Sequence, residues 1–175
     1  MAADGEAEEG RLRPIAVLQV LDRHRIGYIV IGALGRVIQG SDELTDGIDV
    51  VPSTRPENLR RLGLALEELN ARRSDGRQLV LEESLAGEPV LDLVTDGGEL
   101  KIVAEPAGTR GYDDLRRAAT REPLGSGLRP SVASVGDLAR MLAALGREQD
   151  LAPLRTLRRL AELECELGRG RSIER

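Results

Sequence analysis

A short β-branched run in the first third of the chain leads through a glycine into a predicted helix. The run covers Tyr28–Ile31, the glycine is Gly32, and the helix is predicted over residues 34–39. This order of strand, glycine and helix is typical of places where a backbone closely approaches a phosphate group. Gly32 is therefore a candidate for contact with the phosphates of a ligand.

A hairpin signal brings a carboxylate opposite the single lysine of the chain. Asp96-Gly97 is a dipeptide preferred in two-residue hairpin turns, and it joins two predicted strands. With that turn, Asp92 lies directly opposite Lys101 on the same face of the sheet. We expect these two side chains to form an ion pair.

Composition argues against several other classes of site. Cys165 and His24 are each the only residue of their type, so neither an intrachain disulfide nor a His/Cys zinc site is expected. Only Tyr28 and Tyr112 are aromatic, which leaves almost no material for stacking several bases. A single cysteine fits a reducing compartment, and we expect a cytoplasmic protein.

The net charge of −5 is concentrated at the N-terminus. Residues 1–10 contain Asp4, Glu6, Glu8 and Glu9, and we expect this segment to be a mobile acidic tail. The rest of the chain is nearly neutral, which argues against a chain-wide basic surface for nucleic acid. No apolar run approaches the ~18 residues of a membrane-spanning helix.

The remaining pattern predicts one α+β domain over residues 11–175, with helices packed on a mixed sheet and further helices at the C-terminus. Strands are predicted at 28–31, 48–51, 78–81, 90–95, 99–104 and 131–133. Helices are predicted from Pro14 to near Gly27, over 34–39, after a capping box of Thr54 and Glu57, after Tyr112, after Ser134, and along the leucines of 154–167.

Two stretches of the chain carry a resemblance to a known family. The first contains Gly32-Ala33, Gly40-Ser41 and Thr45-Asp46-Gly47-Ile48-Asp49, and the second covers residues 98–115. They resemble the minimal nucleotidyltransferases of bacterial abortive-infection and toxin–antitoxin systems. In that family a Gly-Gly pair, a helix ending in His-Gly-Ser and the pattern Thr-x-Asp-apolar-Asp form the nucleotide and metal site. The resemblance spans nearly all of residues 15–155 and implies the nucleotidyltransferase fold.

The resemblance also implies roles for single residues. Asp49 is the expected ligand of Mg²⁺, and Gly32, Gly40, Ser41 and Lys101 are the expected contacts of a nucleoside triphosphate. We expect the backbone N–H groups of Gly40 and Ser41 to face the pocket, free to bind an anion. Mg²⁺ and a nucleoside triphosphate are the cofactors that an active member of the family would use.

The chain departs from the family pattern where the chemistry is most demanding. The first acid of the Asp-x-Asp pair is replaced by Gly47, and the third acid aligns with Lys101. An ammonium about 4 Å from Mg²⁺ opposes metal binding by about 8 kcal/mol at an effective dielectric near 20. Ala33, Glu43 and Leu142 also differ from the residues common in the family.

Three functions are consistent with these departures. The leading one is a catalytically weakened or inactive nucleotidyltransferase that binds a nucleotide, a nucleic acid such as RNA, or a protein partner such as an antitoxin. The alternative is an active Mg²⁺-dependent enzyme that transfers a nucleoside monophosphate to RNA or protein, with Asp49 assisted by Asp46 or Asp92. The third is a structural protein with a vestigial pocket. In each case we expect Lys101 to share a sheet face with Asp49, within salt-bridge reach of Asp92 or Asp49.

Overall fold

The computed structural model describes residues 13–173, with side-chain burial described for residues 13–168. The predicted tail at residues 1–10 lies outside the described residues. The helices are α1 (Pro14–Arg23), α2 (Gly32–Ile38), α3 (Pro56–Glu68), α4 (Leu81–Gly87), α5 (Tyr112–Leu115), α6 (Val135–Leu145) and α7 (Leu151–Ile173), with a 3₁₀ turn at Glu148–Asp150. The strands are β1 (Tyr28–Ile31), β2 (Gly47–Pro52), β3 (Arg72–Arg73), β4 (Leu91–Thr95), β5 (Gly98–Ile102), β6 (Thr120–Arg121) and β7 (Ser131–Val132).

These strands form one mixed sheet in the order β3-β4-β5-β2-β1-β7-β6. Strand β2 runs parallel to β5, β1 runs parallel to β7, and the other neighbours are antiparallel. The α+β fold class with a mixed sheet and C-terminal helices is therefore confirmed. Among the described residues, no helix is both long enough and apolar enough to span a membrane.

Both faces of the central strands are covered, because side chains alternate between two cores. In β1, Tyr28 and Val30 pack in the core that α1 and α3 cover. Ile29 and Ile31 pack in the second core, together with the apolar face of α6 and with α7. Asp49 of β2 lies on the second face, since its neighbours Ile48 and Val50 both point into the first core.

The predicted hairpin and the predicted cap of α6 are confirmed. Thr95 pairs with Gly98 across the Asp96-Gly97 turn. The hydroxyl of Ser134 accepts a hydrogen bond of 3.1 Å from the backbone N–H of Asp137. Both features depend on residues adjacent in sequence, which explains why the pattern alone predicts them correctly.

The predicted strand at 78–81 is wrong. Residues 78–80 have no regular structure, and α4 begins at Leu81. A short apolar run fits a strand or a helix equally well, and here Leu79 and Leu81 pack against the first core from outside the sheet. The edge position is taken by β3, where the buried Arg73 guanidinium donates hydrogen bonds to Asp75, Ser84 and Glu88.

The predicted capping box before α3 is also wrong. The helix begins at Pro56, its N-cap is Arg55, and no side chain caps it. Proline at the first helical position supplies the required φ and has no N–H that needs a partner, so a capping hydroxyl is not needed at that position. Glu57 instead approaches Arg60 and Arg61 on the helix surface.

Candidate functional site

Three charged side chains meet on the second face of the sheet. Asp49 of β2 pairs in register with Ile31 of β1 on one side and with Lys101 of β5 on the other. Lys101 in turn pairs with Asp92 of β4. Since paired residues project to the same face, the carboxylates of Asp49 and Asp92 flank the ammonium of Lys101.

The ion pair predicted for Lys101 is confirmed. Its Nζ atom lies 3.7 Å from Oδ1 of Asp92, and the two side chains are 45% and 53% exposed. A pair that exposed contributes little to stability, but it keeps the ammonium on the face that Asp49 shares. The position where the family pattern has its third acid therefore carries a positive charge.

Asp49 is more buried than its two charged neighbours. Burial raises the pKa of its carboxyl above the ordinary value of 3.8, while the positive charges of Lys101 and Arg36 act in the opposite direction. The negative charges of Asp92 and Glu99 raise this pKa further. Among the described residues, no hydrogen-bond donor is assigned to the Asp49 carboxylate, so it is available to a ligand.

We predict that Asp49→Asn stabilises the protein at neutral pH. Because the pKa of this carboxyl is raised on folding, the native state binds the proton more tightly, and the ionised carboxylate lowers the free energy of unfolding above that pKa. The gain in melting temperature should be largest near pH 7 and should shrink as the pH falls toward 3.8, the ordinary pKa. Thermal melts of both proteins from pH 3 to pH 8 test this, and a neutral-pH loss of stability would contradict it.

Gly32, at the start of α2, lets the Asp49 carboxylate lie against the backbone. Its φ is 65°, and an added Cβ would lie 1.9 Å from Oδ2 of Asp49. A left-handed φ is costly for residues other than glycine, and the contact leaves no room for a side chain. The strand–glycine–helix order predicts that an anionic group lies close to the backbone at Gly32. In the structure that group is the Asp49 carboxylate of this chain, where the prediction had a ligand phosphate.

Gly32→Ala should lower the free energy of unfolding by about 2 kcal/mol or more, since it combines left-handed strain with a steric conflict. Urea denaturation measures the loss. In an Asp49→Ala background the conflict disappears while the strain persists, so the loss should be smaller. An equal loss in both backgrounds would show that the Asp49 contact is not responsible.

A cleft of about 690 Å³ opens above these charges. Its charged lining residues are Asp49, Lys101, Arg36, Glu105 and Arg147. The opposite wall is the apolar face of α6, made of Leu138, Met141, Leu142 and Leu145. Leu142, which replaces a lysine common in the family, is thus part of an apolar wall.

The two arginines of the cleft already have carboxylate partners. Arg36 makes a bidentate contact with Glu43, with donor–acceptor distances of 2.6 to 3.1 Å. Arg147 makes a similar contact with Asp150, at 2.6 and 3.1 Å. Both guanidinium groups are therefore already held by carboxylates of this chain.

The structure corrects the expected placement of Gly40 and Ser41. The N–H of Gly40 donates to the carbonyl of Val37, and the N–H of Ser41 donates to the carbonyl of Arg36. Ser41 is buried, and its hydroxyl donates to Glu43 at 2.8 Å. Neither residue lines the cleft. The turn after α2 is held instead by hydrogen bonds to carbonyls of α2 and by the Arg36–Glu43 pair.

The structure separates Asp46 from the other candidate acids. It precedes β2, is exposed, and is not among the residues assigned to the cleft. Side chains alternate along a strand, so Gly47 and Asp49, which are two residues apart, share the second face. Asp46 is an odd number of residues from both and does not share that face. Asp92, in contrast, lies on that face opposite Lys101.

Glu99 is a site residue that the sequence analysis missed. It pairs with Gly47 in register, and a Cβ added to Gly47 would lie 3.8 Å from Oε2 of Glu99 and 3.3 Å from its Cβ. The Glu99 carboxylate therefore lies beside the position of the missing first acid. The available signal was its spacing of two residues from Lys101 on the same strand, which puts both on one face.

The residues of this site do not fit a divalent metal ion. Within residues 13–168, no group of three or more histidine, cysteine, aspartate or glutamate side chains is arranged to hold one. Mg²⁺ needs oxygen ligands that converge at short distances, whereas here the register inserts the Lys101 ammonium between Asp49 and Asp92. The site as folded therefore separates Asp49 from Asp92 by an ammonium and offers no adjacent pair of aspartates to a Mg²⁺ ion.

Solved structures of nucleotidyltransferases share this architecture. A candidate nucleotidyltransferase from Thermotoga maritima is 16% identical, with a TM-score of 0.54 over 86% of this chain and 97% of that one. The lincosamide antibiotic adenylyltransferase LnuA, with lincomycin bound, is 12% identical, with a TM-score of 0.59 over 83% of this chain and 94% of that one. The antibiotic-resistance factor ANT(2'')-Ia is 12% identical, with a TM-score of 0.57 over 90% of each chain.

Comparison at the level of sequence finds no such likeness. No protein-family model matches the chain. No curated protein is significantly similar to it in sequence. The likeness therefore lies in the three-dimensional arrangement of the mixed sheet and its helices, and by that arrangement the chain has the nucleotidyltransferase fold.

Proposed function

We propose that this chain is a nucleotidyltransferase-fold protein that has lost metal-dependent transfer and acts by binding a ligand in its cleft without a metal ion. The observation that carries the proposal is the position of Lys101, which stands next to Asp49 in the sheet register and is paired with Asp92 at 3.7 Å. An ammonium in that place repels the divalent cation that the transfer reaction requires.

The surroundings of Lys101 support the same proposal. Gly47 contributes no ligand atom, and the neighbouring Glu99 belongs to the strand that carries Lys101. Asp49 then has no second carboxylate on its own strand, so a metal bound there would lack the paired ligands of the Asp-x-Asp pattern. The chain keeps the fold, the cleft and Asp49, while the other two acids of the family pattern are replaced by Gly47 and Lys101.

A small organic molecule is the kind of ligand that the cleft supports best. Its volume of about 690 Å³ lies within the range of about 300–1,000 Å³ usual for small-molecule pockets. LnuA has lincomycin bound within the same fold, which is consistent with a small molecule in this cleft. The nucleotide, RNA and antitoxin partners expected from the family resemblance, and a bacterial cytoplasmic setting, stay predictions.

Calorimetric titration with ATP, with and without Mg²⁺, tests the proposal. We expect no binding that depends on Mg²⁺, because Lys101 opposes the metal that would accompany the triphosphate. Lys101→Met is the matched variant, since it removes the charge and keeps the length of the side chain. Mg²⁺-dependent binding of ATP to the wild-type protein, lost in Asp49→Asn, would contradict the proposal and favour the active enzyme.

A further inference from the structure

The second half of α7 extends beyond the packed domain. Leu154 and Leu157 in its first half are buried in the second core, whereas every residue of the segment 162–167 is exposed. The helix nevertheless continues to Ile173. Helices in proteins are stabilised mainly by packing of an apolar face, so this part of α7 would gain stability from a partner.

A mainly apolar stripe runs along α7 from the domain into this projecting segment. Its members are spaced four, three and four residues apart, as in the seam of a coiled coil: Thr156, Leu160, Leu163 and Leu167. We call these four residues the α7 stripe. Leu160 is half-buried beside the end of α2, where a Cβ added to Gly40 would lie 3.8 Å from its Cδ2. Leu163 and Leu167 are 38% and 64% exposed.

The charges along α7 change sign at the middle of the α7 stripe. Three arginines precede Leu160 and three glutamates follow Ala161: Arg155, Arg158, Arg159, Glu162, Glu164 and Glu166. Arg159 and Glu166 each precede a leucine of the stripe by one residue, so both flank it on the same side, and both are exposed. This order of charges is self-complementary when the helix is reversed.

The charge pattern identifies both the partner and its direction. When a second copy of α7 runs antiparallel to the first, Arg159 of each copy lies beside Glu166 of the other. A two-fold axis makes this contact twice. A parallel copy would instead place arginines beside arginines and glutamates beside glutamates, which is unfavourable.

We propose that the protein forms a two-fold symmetric homodimer by antiparallel pairing of α7 with the α7 of a second copy. In this register Leu160 of one copy packs against Leu163 of the other, and Leu167 covers Thr156. The pairing goes beyond the proposed function and is independent of it, because no residue of the α7 stripe lines the cleft.

The interface is short, so we expect the association to be weak. Four layers of side chains bury less than about 1,200 Å², as in transient complexes, and a dissociation constant on the order of 10–100 μM is expected. Sedimentation equilibrium of the full chain over a range of protein concentrations measures this constant. A reducing agent is present, because oxidation of the exposed Cys165 would also link two chains.

Charge reversal tests the register of the pairing. Arg159→Glu and Glu166→Arg should each raise the dissociation constant about tenfold, because both symmetry-related ion pairs become pairs of like charges. An equimolar mixture of these two variants should associate as tightly as the wild type, since opposite charges then meet at both contacts. Arg158→Glu is the matched control: it changes the net charge equally, lies on the side of α7 away from the stripe, and should leave association unchanged.

A second pair of variants tests the apolar part of the interface. Leu167→Ser should also raise the dissociation constant about tenfold, because the leucine is lost from both copies. Leu151→Ser is the control, since Leu151 is an exposed leucine of the same helix that lies outside the stripe. Circular dichroism of each variant confirms that it is folded.

The mass of a single chain even at millimolar protein would overturn the inference and assign the α7 stripe to a different partner. Association that Arg159→Glu leaves unchanged, that Arg158→Glu weakens to the same extent, or that the mixture of variants fails to restore would overturn it as well. None of these results bears on the cleft, because the ATP titration tests the proposed function separately.

Discussion

The double variant Gly47→Asp with Lys101→Asp should bind Mn²⁺, whereas the wild-type protein should not. The two changes place carboxylates at positions 47, 49 and 101 on one sheet face and remove the opposing ammonium. An aspartate at position 47 fits with a small shift, since its Cβ would lie 3.3 Å from the Cβ of Glu99. Without metal the variant should be less stable than the wild type, because like charges then face one another.

Mn²⁺ should reverse that loss by binding the native state alone. At a concentration one hundred times the dissociation constant, binding adds about 2.7 kcal/mol to the free energy of unfolding. For a chain of this size, that corresponds to a rise in melting temperature of roughly 5–10 °C. Thermal melts with Mn²⁺ and with EDTA measure the rise, and the neutral control is Gly47→Asn with Lys101→Asn. A comparable Mn²⁺-dependent rise in the wild type would contradict the account.

Leu100→Ala should cause a large loss of stability. Leu100 is fully buried on β5, between Ile48 of β2 and Leu93 of β4. Removing such a side chain costs about 2–5 kcal/mol, through lost burial and the cavity left behind. The melting temperature should fall by roughly 5–15 °C.

Leu44→Ala is the matched control for that truncation. Leu44 is 94% exposed in the loop before β2, and the same change there should alter the free energy of unfolding by less than about 0.5 kcal/mol. Urea denaturation of both variants gives the comparison. Losses of similar size would show that β5 is not at the centre of a packed sheet.

Local patterns predicted the parts of the site that depend on neighbouring residues. The Asp96-Gly97 turn determines the register of its hairpin, so the pairing of Asp92 with Lys101 followed from the sequence. The spacing of two residues between Gly47 and Asp49 likewise predicts that Asp49, and not Asp46, shares a face of the sheet with Gly47. These inferences needed no knowledge of how distant segments pack.

Parts that depend on distant segments could not be predicted in this way. The position of Glu99 beside Gly47 follows from the parallel pairing of β2 with β5, which no local signal encodes. The buried position of Ser41 depends on the hydrogen bond that its hydroxyl donates to Glu43, and the Glu43 carboxylate in turn accepts from Arg36. The apolar wall of the cleft exists only because α6 packs on the second face of the sheet.

The same reason accounts for the errors at the edge of the sheet. Arg73 is a charged residue on a two-residue strand, and it is buried because Asp75, Ser84 and Glu88 surround its guanidinium. Propensity rules place arginine at the surface, so this strand gave no recognisable pattern. By the same rules, the apolar run 78–81 fits an edge strand better than Arg72–Arg73 does.

Transfer of a labelled nucleotide is the measurement that tests the central claim most directly. Purified wild-type protein is incubated with labelled nucleoside triphosphates, Mg²⁺ and total RNA or protein, and incorporation is compared with that of Asp49→Ala. We predict that the wild type incorporates no more label than the variant, because Lys101 stands where a metal ligand is required. Robust incorporation by the wild type that Asp49→Ala abolishes would contradict the account and establish a rearranged acidic site.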